Sequence, residues 1–125
     1  MIRGICAVQP GIKGVSENIT VKSILGRFLE HSRIYHFVNG GDSEYWIGSA
    51  DLMGRNLNRR VESLVRIDKK AHKEYLQEIL DQGLSDDVSS WHMHDDKWTR
   101  VTQNQEGKKL KDMHALFAKR FKNVK

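Results

Sequence analysis

The hydrophobic pattern of the chain changes period at Asp68, and that switch restricts what the chain can fold into. Before it, apolar residues come in short runs or alternate with polar ones, as in strands whose side chains point to opposite faces in turn. Met1–Val8 (MIRGICAV) reads as a buried strand stopped by Pro10-Gly11, and Ile19–Leu25 as a strand or a short helix. Phe28–Val38 is rich in aromatic and β-branched residues. Asn39-Gly40-Gly41-Asp42 is a hairpin turn signal that returns the chain through Glu44–Gly48. Val61–Ile67 alternates like a strand with one wet face.

After the switch, Ala71, Tyr75, Leu76, Ile79 and Leu80 recur at helical spacing, with Asp68 placed to cap the start and Gly83 to stop the end. Ser89–Val101 reads as a two-stranded hairpin turning at Asp95-Asp96. A last helix from about Glu106 to Phe121 would bury Leu110, Met113, Phe117 and Phe121. Repeats, linkers and low-complexity tracts are lacking, so residues 1–125 read as a single α+β domain, strand-rich first and helix-flanked later.

Composition excludes several classes. With Cys6 as its one cysteine, the chain forms no internal disulfide and no multi-cysteine zinc site, which fits a reducing, intracellular setting. No segment approaches the ~20 apolar residues of a membrane span, and the start lacks the apolar core of a secretory leader. The net charge of +5 points to an anionic partner. Seven of the eleven cations in residues 1–70 are arginines, whose planar fork suits phosphate.

The densest polar constellation flanks the Asn-Gly-Gly-Asp turn. His31-Ser32-Arg33 would place an imidazole and a guanidinium on one strand face. The returning strand ends in Gly48-Ser49-Ala50-Asp51, followed by a loop with Arg55, Asn56, Arg59 and Arg60. Such a set suits a phosphoryl group: histidine can move a proton or act as nucleophile, and arginine neutralises the equatorial oxygens. The remaining polar residues have plainer readings. His36, His72, His92, His94 and His114 lack ligand spacing for a metal, and Cys6 packs in its strand. Trp91 and Trp98 belong to the core, and Lys108–Lys111 forms the wet face of the last helix.

His31-x-Arg33 followed by Gly48-Ser49-x-Asp51 resembles the His-x-Lys and Gly-Ser-x-Asn signature of the phospholipase D-like superfamily, with Arg33 for lysine, Asp51 for asparagine and Val38 where an aspartate would follow. A closer resemblance runs along the whole chain. Ile2-Arg-Gly-Ile-Cys6, Pro10-Gly-Ile-x-Gly-x-Ser-Glu-Asn-Ile19, Gly26-Arg-Phe-Leu-Glu-His-Ser-Arg-Ile-Tyr35, Ile47-Gly-Ser-Ala-Asp51 and Arg55-Asn-Leu-x-Arg-Arg-Val-Glu62 are similar to the carboxy-terminal domain of bacterial polyphosphate kinases.

The resemblance implies a phospholipase D-like half, a mixed β-sheet flanked by helices. It implies an enzyme that transfers the ATP γ-phosphate reversibly to inorganic polyphosphate, with Mg²⁺, through a phosphohistidine. That histidine and the Mg²⁺ ligands would lie in preceding domains of the same chain, so this sequence reads as an excised piece with no metal ligands, inactive alone. The matching positions are Arg3 and Arg60 for ATP or polyphosphate, and His31 as the catalytic histidine opposite the phosphohistidine. Arg33, Ser49, Asp51, Arg55, Asn56 and Arg59 would support them. The implied partners are ATP, ADP, polyphosphate and further copies of the full-length enzyme, not nucleic acid. The implied location is cytoplasmic, with at most peripheral membrane association. Two other readings use the same residues: a stand-alone polyanion or nucleic-acid module, and a phosphodiesterase of the phospholipase D type.

Overall fold

A computed structural model describes residues 1–122. The chain divides into two compact units, one built from residues 1–30 and 81–125, the other from residues 31–80. Each carries a three-stranded sheet, and all ladders are antiparallel. The α+β class expected from the sequence is what is seen, but two separate antiparallel sheets replace the single mixed sheet.

In the unit of residues 31–80 the strand order is β2-β3-β4, formed by Ile34–Phe37, Glu44–Gly48 and Leu64–Ile67. β2 and β3 pair from Ile34 opposite Ile47 to Phe37 opposite Glu44. Their connection is a short 3₁₀ turn at Asn39–Gly41, in which Asn39, Gly40 and Gly41 all take positive φ. Glycine adopts that backbone without a Cβ penalty and asparagine tolerates it, so the Asn-Gly-Gly signal worked as read. Between β3 and β4 the arginine-rich stretch is not a loop. Gly54–Arg59 forms a short helix, α1, which leaves Arg60 extended as its C-cap.

Helix α2, Lys70–Leu84, follows. Asp68 stands ahead of it but pairs its carboxylate with Arg66 Nε at 3.3 Å. The first-turn N–H groups of His72 and Lys73 instead reach the carbonyl of Lys69. Within this unit Tyr45 on β3 is buried, donates its hydroxyl to Gln77 on α2 and stacks on His36 with centroids 4.3 Å apart. Lys73 Nζ reaches the Ser43 carbonyl at 3.2 Å. Leu76 is the buried residue of the predicted helix stripe, whereas Ala71 and Tyr75 are exposed.

The other unit has the order β1-β5-β6, formed by Lys22–Ser23, Ser90–His94 and Lys97–Val101. The β5–β6 hairpin turns at Asp95 and Asp96, both left-handed (φ 48° and 59°), as the mirror-image hairpin turns require. Val21, Ile24, Val88, Met93 and Met113 form its buried apolar set. Lys22 is buried and closes the end of α2, donating to the Leu84 carbonyl at 2.8 Å and pairing with Asp86 at 2.7 Å. Gly83, expected to end that helix, lies buried inside its last turn.

Two expectations fail here. Met1–Val8 is not a buried strand but an irregular segment tied to β1 by Ile2 N–H donating to the Lys22 carbonyl at 2.9 Å, with Ile5 83% exposed. Cys6 therefore sits half-buried outside any strand. The last helix, α3, runs Met113–Phe121 and not from Glu106. Residues 102–110 fold back on themselves through Leu110 N–H to the Thr102 carbonyl (2.8 Å), and Gly107 takes φ 78°. Asp112 then caps α3, its Oδ1 accepting the Ala115 N–H at 2.8 Å. Leu110 thus lies outside the helix, and Phe121 is 43% exposed.

Gly48 tests the closeness of the β3–β4 seam. A Cβ there would lie 2.6 Å from the Ser63 carbonyl oxygen and 2.8 Å from Leu64 Cδ2. Because the nearest atom is backbone, it cannot swing aside. Gly48→Ala should cost about 1–3 kcal/mol, as overpacking does. A urea melt showing unchanged stability would contradict this packing.

Candidate functional site

The site grows out of one end of the β2-β3-β4 sheet. In antiparallel order β2 begins, β3 ends and β4 begins at that end, so three chain segments meet there. The segment entering β2 carries His31 and Arg33; the one leaving β3 carries Ser49 and Asp51; the one entering β4 carries Arg60 and Glu62. The Gly48 N–H donates to the Arg33 carbonyl at 3.2 Å and the Ser49 N–H to the Ser63 carbonyl at 3.0 Å, which fixes all three.

Arg33 is the hub. Its Nε donates to Asp51 Oδ1 at 2.9 Å, in an ion pair whose guanidinium side is mostly shielded. Its Nη1 lies 3.0 Å from His31 Nδ1 and donates to the His31 carbonyl at 3.1 Å, while Nη2 lies 3.3 Å from His31 Nε2. Guanidinium only donates, so the ring nitrogen it binds must be the unprotonated acceptor. Arg33 lies within reach of both ring nitrogens, and which of them accepts depends on the tautomer. His31 is exposed, so its ring meets solvent beside the guanidinium. The expected proximity of His31 and Arg33 is therefore present, although both precede β2 and lie outside the ladder.

A second network lies alongside. Ser49 Oγ donates to Glu62 Oε2 at 2.5 Å and accepts the Ser63 N–H at 3.1 Å. Asn56, 3% exposed within α1, donates to Glu62 Oε1 at 2.7 Å, while its own Oδ1 is buried and meets no partner among the described residues. Glu62 was not singled out from the sequence. Its signal was available, as a lone acid two residues after Arg59-Arg60 in an otherwise cationic stretch.

Electrostatics follow the contacts. The Arg33 hydrogen bond holds the Asp51 carboxyl below the ordinary range, with further help from the charges of Arg33 and Arg55. Hydrogen bonds from Ser49 and Asn56 do the same for Glu62, aided by Arg60 and Arg33. Asp51 in turn pushes Arg33 upward. Arg55, Arg59 and Arg60 are exposed and form no ion pair among the described residues, leaving their forks available. Arg3 belongs to the other unit, exposed on its irregular first segment.

Asp51 and Glu62 are the acids that a divalent cation at this site would use, yet their carboxylates are committed to Arg33 and to Ser49 and Asn56. Among the described residues no three His, Cys, Asp or Glu side chains are grouped to hold a metal ion. His92 bonds Ser90 Oγ at 3.0 Å, and burial, then the charge of Lys22, pushes its pKa below the usual histidine value. No described helix is long and apolar enough to cross a membrane.

An exposed imidazole clamped by an arginine, with three uncommitted arginines on the same unit, defines an anion-facing α+β domain. Comparison with known proteins identifies its kind. Residues 1–112 match the family described as polyphosphate kinase C-terminal domain 2. Over 116 residues the chain is 51% identical to the polyphosphate kinase of Streptomyces coelicolor, covering 92% of this chain and 16% of that one. It is 46% identical over 125 residues to the polyphosphate kinase of Thermosynechococcus vestitus, covering 99% and 17% respectively. The crystal structure of the polyphosphate kinase from Porphyromonas gingivalis superposes with a TM-score of 0.81 at 31% identity, over 93% of this chain and 18% of that one. The chain therefore belongs to the polyphosphate kinase C-terminal domain 2 family, with the phospholipase D-like half that its motifs implied. It spans about one-sixth of the length of these relatives.

The depressed carboxyls set how the site responds to acid. A carboxyl whose pKa is lowered by folding stabilises the fold above its unfolded pKa, and that contribution disappears as pH falls through the folded value. The Arg33–Asp51 clamp should thus stay intact through the ordinary aspartate value of ~3.9 and open only below it. Carbon-detected NMR titration of the Asp51 carboxyl should show this, and Arg33→Ala should bring its midpoint back up. An ordinary Asp51 midpoint in the unsubstituted chain would refute the clamp.

Proposed function

We propose that this chain supplies one wall of the active site of a polyphosphate kinase, which moves the γ-phosphate of ATP reversibly to the end of an inorganic polyphosphate chain. The observation that carries this reading is the Arg33 clamp, which joins Asp51 to the exposed ring of His31. The chain's membership of the polyphosphate kinase family supplies the substrate class.

Phosphoryl transfer depends chiefly on positioning and charge neutralisation. On this reading a histidine in another domain forms the new N–P bond as the bond between the γ-phosphorus and the ADP oxygen breaks. The His31 imidazole donates to that departing oxygen, and Arg33 keeps the ring oriented while Asp51 keeps Arg33 in place. Arg60, with Arg55 and Arg59 beside it, offers unpaired forks to the phosphate chain, and Arg3 contributes to the ATP phosphates. In the second half, a terminal polyphosphate oxygen attacks the phosphohistidine and the N–P bond breaks. Mg²⁺, further copies of the enzyme and a cytoplasmic setting belong to the whole enzyme and would be provided outside these residues. The isolated chain is expected to lack kinase activity.

A chimaera tests the reading. This chain should replace the matching segment of the Streptomyces coelicolor enzyme and support polyphosphate synthesis. Within it, His31→Ala should lower turnover by about 10²–10⁴-fold, the range of an acid–base group. His31→Gln keeps a hydrogen-bonding side chain but cannot move a proton, so near-normal turnover in that variant would mean that His31 only holds phosphate. Full activity in both variants would remove His31 from the site.

A further inference from the structure

Charge is segregated along this chain in a way that its sum conceals. Residues 1–96 carry twelve Lys or Arg and fourteen Asp or Glu, a balance of −2, whereas residues 97–122 carry eight and two, a balance of +6. The transition is abrupt, since residues 71–96 hold a single cation, Lys73, against seven acids.

The fold keeps these cations on adjoining elements of one unit. Lys97 and Arg100 stand on β6. The chain then folds back in a tight turn, with Asn104 Oδ1 accepting the N–H groups of Glu106 (3.1 Å) and Lys108 (2.8 Å) and Gln103 bridging to Lys109. Lys111 is pinned by its N–H to the Asp87 carbonyl at 2.9 Å. Lys119 lies in the last turn of α3. Lys97, Arg100, Lys108, Lys109, Lys111 and Lys119 are all exposed and form no ion pair among the described residues. They do not form the wet face of one helix, since Lys108–Lys111 lies in the turn and bridge ahead of α3.

We infer that this ribbon, from β6 through the turn to α3, is a second binding surface for long-chain inorganic polyphosphate, separate from the His31 site and resting on the proposed function for its ligand. Unpaired like charges pinned to a rigid turn gain by exchanging their counterions for a linear polyanion. Two features favour polyphosphate over nucleic acid. The named cations are lysines except for Arg100, so they act as point charges and not as bidentate readers. The indole of β6, Trp98, is half-buried, so the strand part of the ribbon offers no exposed platform on which single-stranded bases stack.

The test measures binding of the 125-residue chain to long-chain polyphosphate, to tripolyphosphate and to charge-matched duplex DNA at several salt concentrations. Lys108→Gln/Lys109→Gln/Lys111→Gln should weaken long-chain binding about tenfold or more and lower its salt slope by about 2, at roughly 0.7 per lost contact. Tripolyphosphate binding should be unchanged, and the corresponding arginine triple variant should retain the original affinity. Unaltered long-chain affinity and slope would overturn the ribbon while leaving the proposed function standing. So would an equal loss for tripolyphosphate, or DNA binding as tight and as sensitive to the substitutions. Absence of polyphosphate binding by the unsubstituted chain would likewise overturn the ribbon, whereas a chimaera that makes no polyphosphate would count against the proposed function itself.

Discussion

The end of β3 is the point on which the site depends. Gly48 has to approach the Ser63 carbonyl more closely than any side chain permits, and only then can Ser49 exchange bonds with Ser63 across the seam. That closure carries the segment leaving β3 back over the segment entering β2, where Asp51 meets Arg33. The ladder accordingly does more than stabilise the sheet. It sets the distance between two stretches of chain eighteen residues apart, and a shift by one residue would put Asp51 on the wrong side of the strand.

Given that frame, the arginines of the unit divide by partner. Arg33 has a carboxylate and a carbonyl to satisfy it, so it behaves as part of the scaffold and orients an imidazole. Arg55, Arg59 and Arg60 lie on or just after the short helix α1, exposed and without acids of their own, because Glu62 is already taken by Ser49 and Asn56. Glu62 therefore has a definite effect: bound elsewhere, it remains a nearby negative charge without quenching the arginine forks. An acid left free beside Arg60 would compete with phosphate for the same donors.

What the sequence disclosed was local chemistry, and what it hid was decided by longer-range pairing. The Asn39–Gly41 turn and the Asp95-Asp96 hairpin were legible because both need left-handed backbone that few residues accept. His31 and Arg33 were legible as a pair because residues two apart share a side in any extended chain, ladder or not. Met1–Val8 misled because an apolar run carries no information about whether a partner strand exists, and its link to β1 is a single backbone bond at Ile2. The arginine stretch reads as a loop but forms α1, a helix that starts without a capping side chain, its first bonds running to the Met53 carbonyl. The start of α3 was misplaced since Leu110 matches the helical spacing, while Gly107 and the Asp112 cap, both visible in the sequence, rule against it.

The two kinds of cation also separate by what they can recognise. The arginine site pairs directional forks with one imidazole, so it suits a phosphoryl group whose oxygens occupy fixed places during transfer. The lysine ribbon has no such geometry and would hold any segment of a uniform chain equally well. Transfer acts on a single terminal phosphate, but a growing polymer must also remain associated between one transfer and the next. Weak contacts spread along many identical units achieve this without fixing the register, because losing one contact barely changes the whole while the next unit can replace it. Precise forks placed along the chain would bind a fixed register and oppose each advance by one phosphate. On the proposed function, lysines at the ribbon suit holding a polymer without fixing its register, and arginines beside His31 suit a single phosphoryl group.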